Sequence, residues 1–377
     1  MKNKVLHTIL KILGFFFLFI ITTLTIVIVG AWGALRLAFD GPSPKFREMF
    51  VTSMMESSAG PIVIRWFLPE EEIQAIVSQN QVMEFDEITD PSLVTIMHRE
   101  AEDKAEAAQN ANQQVAVEES LDPDGDGIEV HEISGPMYHG YLMIVYDPSR
   151  VICGTINNYS QEGGGMTLES LIEKYGGVAG INGGRYEDEG GLGMGGFPIG
   201  LVFSQGSLRH VGHPKILDEE TGEYIDDPDP QETTFTFCGF NRDDVLVVGT
   251  MSPEYAQGIG IRDGVSFGPA LIINGEPAVY NGAGGGLNPR SAIGQRSDGA
   301  VILLCIEGRK TSSMGATMAD LIDIMLEYGA VNAYNLDGGM SSSMYLNGEE
   351  IVDNANVRSD RAIPTAWVVL PPKDQEG

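Results

Sequence analysis

The first pattern along the chain is an unbroken apolar one. From Ile12 to Leu35, 24 residues pass without a charged side chain, enough for a helix that crosses a hydrocarbon core with some tilt. Lys2, Lys4 and Lys11 precede this run, and Arg36 and Asp40 follow it. The positive-inside rule then predicts a cytoplasmic tail over 1–11, a single-pass anchor over 12–35 and the remainder outside the cell membrane. A cleaved signal peptide is the competing expectation, but its apolar region runs only about 7–15 residues.

Beyond the anchor the pattern changes twice. Pro69-Glu70-Glu71-Glu72 opens a short helix through Val77, with acidic residues in its first turn. Ser92 to Val117 is rich in Ala, Glu and Gln with a thin apolar stripe, which predicts an exposed helix. Residues 36–136 therefore read as a juxtamembrane stalk with a small helical region. From 137 to 371 short apolar runs separated by glycine-rich turns predict strands at Tyr141–Tyr146, Val151–Ile156, Gly200–Phe203, Phe235–Phe240, Val245–Val248 and Ala270–Ile273. Helical periodicity appears at Thr167–Tyr175 and at Ala316–Tyr328, where Met318, Leu321, Ile322, Met325 and Leu326 share a face. Residues 372–377 form a tail. The fold class is α+β: a strand-rich mixed sheet with a β-α-β crossover and packed helices.

The crossover is the most informative unit. Val301–Ile306 is a strand, Ala316–Tyr328 the helix and Val331–Leu336 a second strand, so the two strands run parallel and end on one edge. Ligands bind beyond the carboxyl ends of strands in open sheets. Glu307-Gly308-Arg309 follows the first strand, and Asn335-Leu336-Asp337-Gly338-Gly339 closes the second. A turn at Ser297-Asp298-Gly299 makes Asn288–Gly294 the antiparallel partner of the first strand, which brings Arg290 to the same edge. Ala179–Tyr186 is a further polar, glycine-rich cluster.

Composition narrows the chemistry. A formal net charge of −30 argues against nucleic acid as a partner. Glycine, at 47 residues without a fixed period, points to special turns rather than collagen. Cys153, Cys238 and Cys305 each sit in an apolar run and are expected as buried core residues. His210-x-x-His213 has the spacing of a metal pair, but it lies in a polar loop beside a proline without a cysteine cluster, which argues against a metal site. Asp122, Asp124 and Asp126 have the alternation of a calcium loop, but its twelfth position holds Ile133, and Glu132 falls one residue short. The expectation is a solvated acidic turn leading into a strand, with those three aspartates as the ligands of the alternative.

Seven segments in one order carry a resemblance: INGGRY, GGFPIGLVFSQG, SFGPALIINGEP, NPRSAIG, EGR, the block from Gly315 to Gly348, and DRAIPTAWVV. Together they resemble the phosphodiester glycosidase family over residues 137 to 371. The resemblance implies hydrolysis of the bond between a sugar's anomeric carbon and a phosphodiester oxygen, in a cell-surface or wall polysaccharide such as an exopolysaccharide. It implies no required cofactor, although a bound Ca²⁺ would turn a carboxylate from catalyst into ligand. Asp337 is then the expected nucleophile or base, with Glu307 its partner or a supporting group behind it. Arg290 and Arg309 are expected to hold phosphate, and Asn182 and Asn335 to meet sugar hydroxyls. Gly338 and Gly339 open the turn, Ser341 and Ser342 add polar contacts, and Arg361 is a further candidate. Arg185 stands where the family often has an aromatic, so it bears on substrate choice. The alternative is a non-catalytic glycan-binding or assembly protein using the same cleft.

Overall fold

The computed structural model describes residues 2–57, 60–96, 125–160, 163–187, 194–212, 215–217, 224–226, 233–352 and 361–372. The chain divides into two compact units, Met1–Ser78 and Gln79–Gly377.

The first unit is helical. Helix α1 (Lys2–Asp40) carries the apolar run, and its Ile9–Asp40 stretch is long and apolar enough to cross a membrane. Helices α2 (Pro44–Met55), α3 (Gly60–Ile64) and α4 (Glu70–Ser78) follow. Ser43 caps α2 ahead of Pro44, the arrangement that satisfies a free N–H and uses a residue lacking one. Phe39, Val51, Ile64, Leu68, Ile73 and Ile76 form a small core. The acidic opening predicted for Pro69–Val77 is seen at α4. Most of the exposed helix expected over Ser92–Val117 lies outside the described residues; its start holds a single 3-10 turn, Pro91–Leu93.

The second unit holds three main sheets. Its strands are β1 (Ile128–Ser134), β2 (His139–Val145), β3 (Val151–Thr155), β4 (Ala179–Asn182), β5 (Leu201–Ser204), β6 (Ser207–Val211), β7 (Lys215–Leu217), β8 (Tyr224–Asp226), β9 (Phe235–Asn241), β10 (Leu246–Met251), β11 (Ile261–Ser266), β12 (Ala270–Ile273), β13 (Glu276–Pro277), β14 (Arg290–Arg296), β15 (Val301–Ile306), β16 (Ala330–Leu336), β17 (Met344–Leu346), β18 (Glu349–Val352) and β19 (Thr365–Val369). Helices α5 (Leu168–Lys174), α6 (Pro253–Gly258) and α7 (Met318–Glu327) complete it. The large sheet runs β1-β2-β15-β14-β16-β12-β13, and the others run β10-β9-β11-β5-β6 and β18-β17-β4-β19-β3. A separate hairpin pairs β7 with β8. The sheet order already includes β1, which precedes residue 137.

Alternate residues of β14–β16 face opposite layers. Val301, Leu303, Cys305, Ile293, Tyr334 and Leu336 join residues of the other two main sheets in one central core. Ile302, Leu304, Ile306, Ala292 and Ala333 instead pack with α7. That two-sided burial explains why VILLCI is a continuous apolar run rather than an alternating one. Helix α7 starts where Thr317 and Asp320 form a reciprocal capping box, which satisfies two free donors at once. Cys153, Cys238 and Cys305 are free and buried, as their apolar runs suggested. Burial pushes the Cys305 thiol up to about 12.

One expectation is corrected. β15 and β16 run in the same direction, yet they are not neighbours: β14 lies between them and pairs antiparallel with both. The tight turn after Arg296 folds β14 back onto β15, and the free edge of β14 then accepts β16. The strand pairings are accordingly antiparallel throughout the main sheets, where a mixed sheet was expected. Arg290 stands opposite Ile306, and Ser291 opposite Leu336, so the ends of three adjacent strands still converge.

Candidate active site

Segments from all three main sheets meet at the end where β15 and β16 finish. The Asp337 N–H donates to the Gly183 carbonyl at 3.1 Å, Gly339 N–H to Pro289 at 2.9 Å, and Arg185 N–H to Ser266 at 2.8 Å. These bonds join the turn after β16 to the loop after β4, the approach to β14 and the end of β11.

Asn182 is the keystone of this junction. It is fully buried. Its Nδ2 donates to the Asp337 carbonyl at 2.6 Å. Its Oδ1 accepts from Ser291 Oγ at 2.6 Å and from the Ser343 N–H at 3.3 Å. One amide therefore ties β4, β14 and both ends of the turn that follows Asp337.

That turn is built by glycine. Gly339 sits at φ +65°, a left-handed conformation that side chains resist, and opens the 3-10 turn Gly339–Ser341. Gly338 N–H donates to Asp337 Oδ1 at 2.9 Å. The Asp337 residue stays partly exposed at the surface, while the surrounding protein strips water from its carboxyl. This desolvation pushes its pKa up to about 6, against the opposing pull of Ser341, the Gly338 N–H and the Arg185 charge. A carboxyl poised there suits proton transfer near neutral pH.

Tyr186 ends the INGGRY segment with no local signal of a role, and the structure places it close to Ser341 and Asp337. Its hydroxyl accepts from Arg361 Nε at 2.6 Å and lies 3.0 Å from Ser341 Oγ. The Arg361 guanidinium also lies 5.8 Å from the ring centroid. Burial raises the Tyr186 pKa, with the Asp337 charge adding to the effect. An arginine N–H can only donate. With Ser341 turned toward Asp337, the Tyr186 proton points at Ser341 Oγ, and the bonds run one way from Arg361 to the carboxylate.

The other sequence candidates divide by depth. Arg185 is exposed and close enough to Asp337 to stabilise its charge. Arg309 is held at φ +58°, and its Nη2 lies 3.5 Å from where a Cβ on Gly339 would be. Arg185, Arg309 and Arg361 thus surround the 337–341 turn in a chain of strongly negative charge. Ser342 is buried within the same turn. Arg290 is buried, with Nε donating to Ala316 O at 3.2 Å and Nη2 to Gly286 O at 2.8 Å. Asn335 is also fully buried, with Nδ2 donating to Gly268 O at 2.7 Å. Both residues brace the loops behind the edge rather than facing out from it.

Glu307 lies at the same edge but belongs to another cluster. It sits 3.4 Å from His139 Nδ1 and 3.5 Å from Lys310 Nζ. His139 Nε2 meets Glu132 at 2.9 Å, and the Glu132 hydrogen bond leads the causes that raise the His139 pKa. Ser313 Oγ closes the loop onto Glu307 O at 2.7 Å. Gly308 packs so closely on Pro289 that a Cβ would lie 2.6 Å from its ring. Glu307 therefore fixes the turn that presents Arg309.

The aspartate-rich loop offers less. Asp122 and Asp124 lie outside the described residues. Asp126 Oδ1 accepts from Ile128 N–H at 2.8 Å, which caps the entry to β1. Among the described residues no group of three or more His, Cys, Asp or Glu gathers as a metal site. His210 packs edge-on to Tyr159 and Phe197, while His213 lies outside the described residues.

The fold and site define an α+β protein with a carboxylate-and-arginine centre at the junction of its sheets. The sequence description of a phosphodiester glycosidase matches residues 175–370, more than half of the chain, and the protein belongs to the phosphodiester glycosidase family. It is 34% identical over 119 residues to the SPbeta prophage-derived uncharacterized protein YomE of Bacillus subtilis, covering 30% of this chain and 18% of that protein. It is 29% identical over 131 residues to bovine N-acetylglucosamine-1-phosphodiester alpha-N-acetylglucosaminidase, covering 29% and 24%. The matches thus span less than a quarter of either relative. The zebrafish N-acetylglucosamine-1-phosphodiester alpha-N-acetylglucosaminidase catalytic domain, auto-inhibited by its pro-peptide, shares the fold with a TM-score of 0.50. It is 20% identical, over 68% of this chain and 87% of that one.

Proposed function

We propose that this chain is a membrane-anchored hydrolase acting outside the cell on a sugar-1-phosphodiester linkage in a surface or wall polysaccharide. The observation that carries the proposal is Asp337. It is a carboxyl of raised pKa at a strand end, with Arg185, Arg309 and Arg361 disposed around its turn. In this reading the ionised Asp337 either attacks the anomeric carbon, forming a glycosyl ester that water then hydrolyses, or takes a proton from the attacking water. The C1–O bond breaks toward the phosphate. Arginine forks neutralise the phosphate monoester as it leaves, so protonation of the leaving group matters less than for an ordinary glycoside. The reaction is proposed to need no bound metal. Helix α1 supplies the anchor, and the lysines before it support the outward orientation.

The test uses the full chain in detergent, with EDTA present, and simple sugar-1-phosphate diesters. Release of free sugar together with a phosphate monoester is expected. Binding of polymer without release from any diester overturns the enzymatic reading in favour of a glycan-binding protein.

A second measurement addresses the Tyr186 bonds. Tyr186→Phe removes the oxygen that links Arg361 to Ser341. Turnover is expected to fall about tenfold, and the acid limb of the pH–rate profile to move to higher pH, because Asp337 loses an oriented donor. A profile identical to wild type would refute the linkage.

A further inference from the structure

The helical unit carries apolar side chains that its own core leaves uncovered. Trp66 is 70% exposed and Ile62 61% exposed, although both neighbour buried Ile64. Their height along α1 is set by aromatic contacts. The Phe67 ring lies 4.7 Å from Trp32 and 4.9 Å from Phe39. It therefore runs beside a stretch of α1 about 10 Å long. Trp32 falls inside the uncharged run, and the first charge after that run is Arg36. The Arg36 guanidinium lies 5.3 Å from the Trp32 ring and 5.7 Å from Phe67, and it pairs with Asp40 at 2.9 Å. An arginine and tryptophan at the end of a span mark the boundary between headgroups and acyl chains. The turn after α3 thus does not stand clear of that boundary. It folds back along α1 to the level of Trp32.

We propose that the Ile62–Phe67 segment is embedded in the headgroup boundary of the bilayer that α1 crosses, with Ile62 and Trp66 facing lipid. The proposal rests on the reading of α1 as a retained span. Lipid fits these residues because Trp is amphipathic and settles at headgroup depth. The intervening Arg65 is paired with Glu70 at 2.9 Å, which limits the charge carried to that depth. The unit then acts as an interfacial collar around the top of the anchor, adding apolar burial to that of the span.

The experiment reads depth directly. The full chain is reconstituted in phosphatidylcholine vesicles with Ile62→Cys carrying an environment-sensitive fluorophore. The native cysteines are buried and escape labelling under folding conditions. Glu71→Cys, at an exposed position of α4, serves as the aqueous reference. The label at 62 is expected to emit to the blue of the reference, to be quenched by lipids brominated near the carbonyl end, and to resist iodide. Iodide quenching equal at both positions overturns the proposal. A blue shift that grows with protein-to-lipid ratio but ignores brominated lipid also overturns it, marking a second copy as the occupant. An amino-terminal tag on the same protein separates the two readings. Loss of the tag by cleavage removes the span and the collar together, whereas a retained tag with an iodide-accessible label at 62 rejects the collar alone.

Discussion

Asp337→Asn is expected to abolish turnover while making the fold more stable. The carboxyl supplies either the nucleophile or the base, and its loss should lower the rate by about 10³-fold. The stability change has the opposite sign. Burial holds the folded-state pKa at about 6, above its ordinary value of 3.8. The folded protein therefore binds more protons than the unfolded chain between those values, and wild-type stability falls as pH rises through this window. Above pH 6 the ionised carboxylate costs the fold about 1–2 kcal/mol, after allowance for its remaining contact with water. Asparagine removes that cost. Thermal unfolding should show the variant about 3 °C more stable at pH 8, with the gain shrinking toward pH 4. Wild-type activity should fall on acidification below about pH 6, because catalysis needs the charged form. Undiminished turnover in the variant would remove Asp337 from the mechanism, and a destabilised variant would contradict the assigned desolvation.

Asn182→Ala is expected to be the most damaging substitution for the junction. It strips a partner from the Asp337 carbonyl, the Ser291 hydroxyl and the Ser343 N–H, all tied to one fully buried side chain. Leaving such groups unpaired costs about 3 kcal/mol in total, even with some relaxation. Denaturant unfolding should show this as a lower midpoint with an unchanged slope. Activity should fall about 100-fold in the protein that remains folded, because Asp337 is no longer held in register with the arginines. Asn182→Ser tests the distinction between filling and tying. It keeps a polar atom but lacks the reach to span three segments, so it should recover little of either loss. Wild-type stability in Asn182→Ala would show that the three bonds are dispensable.

Much of the architecture was legible along the chain because its signals are local. The uncharged run from Ile12 to Leu35 announced α1, and the helical spacing of Met318, Leu321, Ile322 and Met325 announced α7. Alternation in Ile128–Ile133 announced β1, and the turn at Ser297–Gly299 announced the β14–β15 hairpin. Asp337 could be placed at a strand end because the crossover dictates strand direction. The insertion of β14 between β15 and β16 was not legible, since pairing partners depend on which sheet edge is free. The surroundings of Glu307, Asn182, Arg290 and Asn335 were not legible for the same kind of reason. Their types suit phosphate and sugar chemistry, but burial and partners are set by residues distant in sequence.

The sequence by itself determined most element types, the long apolar helix and the presence of a carboxylate, glycines and arginines at strand ends, because periodicity and turn chemistry act over a few residues. Only the tertiary structure decided which of those polar groups meet. It joined Tyr186 to Arg361 and Ser341 across 175 and 155 positions of chain, and it closed the protein around Asp337 until its carboxyl lost much of its water. It also carried Phe67 back to Trp32. Desolvation and long-range hydrogen bonding belong to the assembled fold, so no local stretch of sequence contains them.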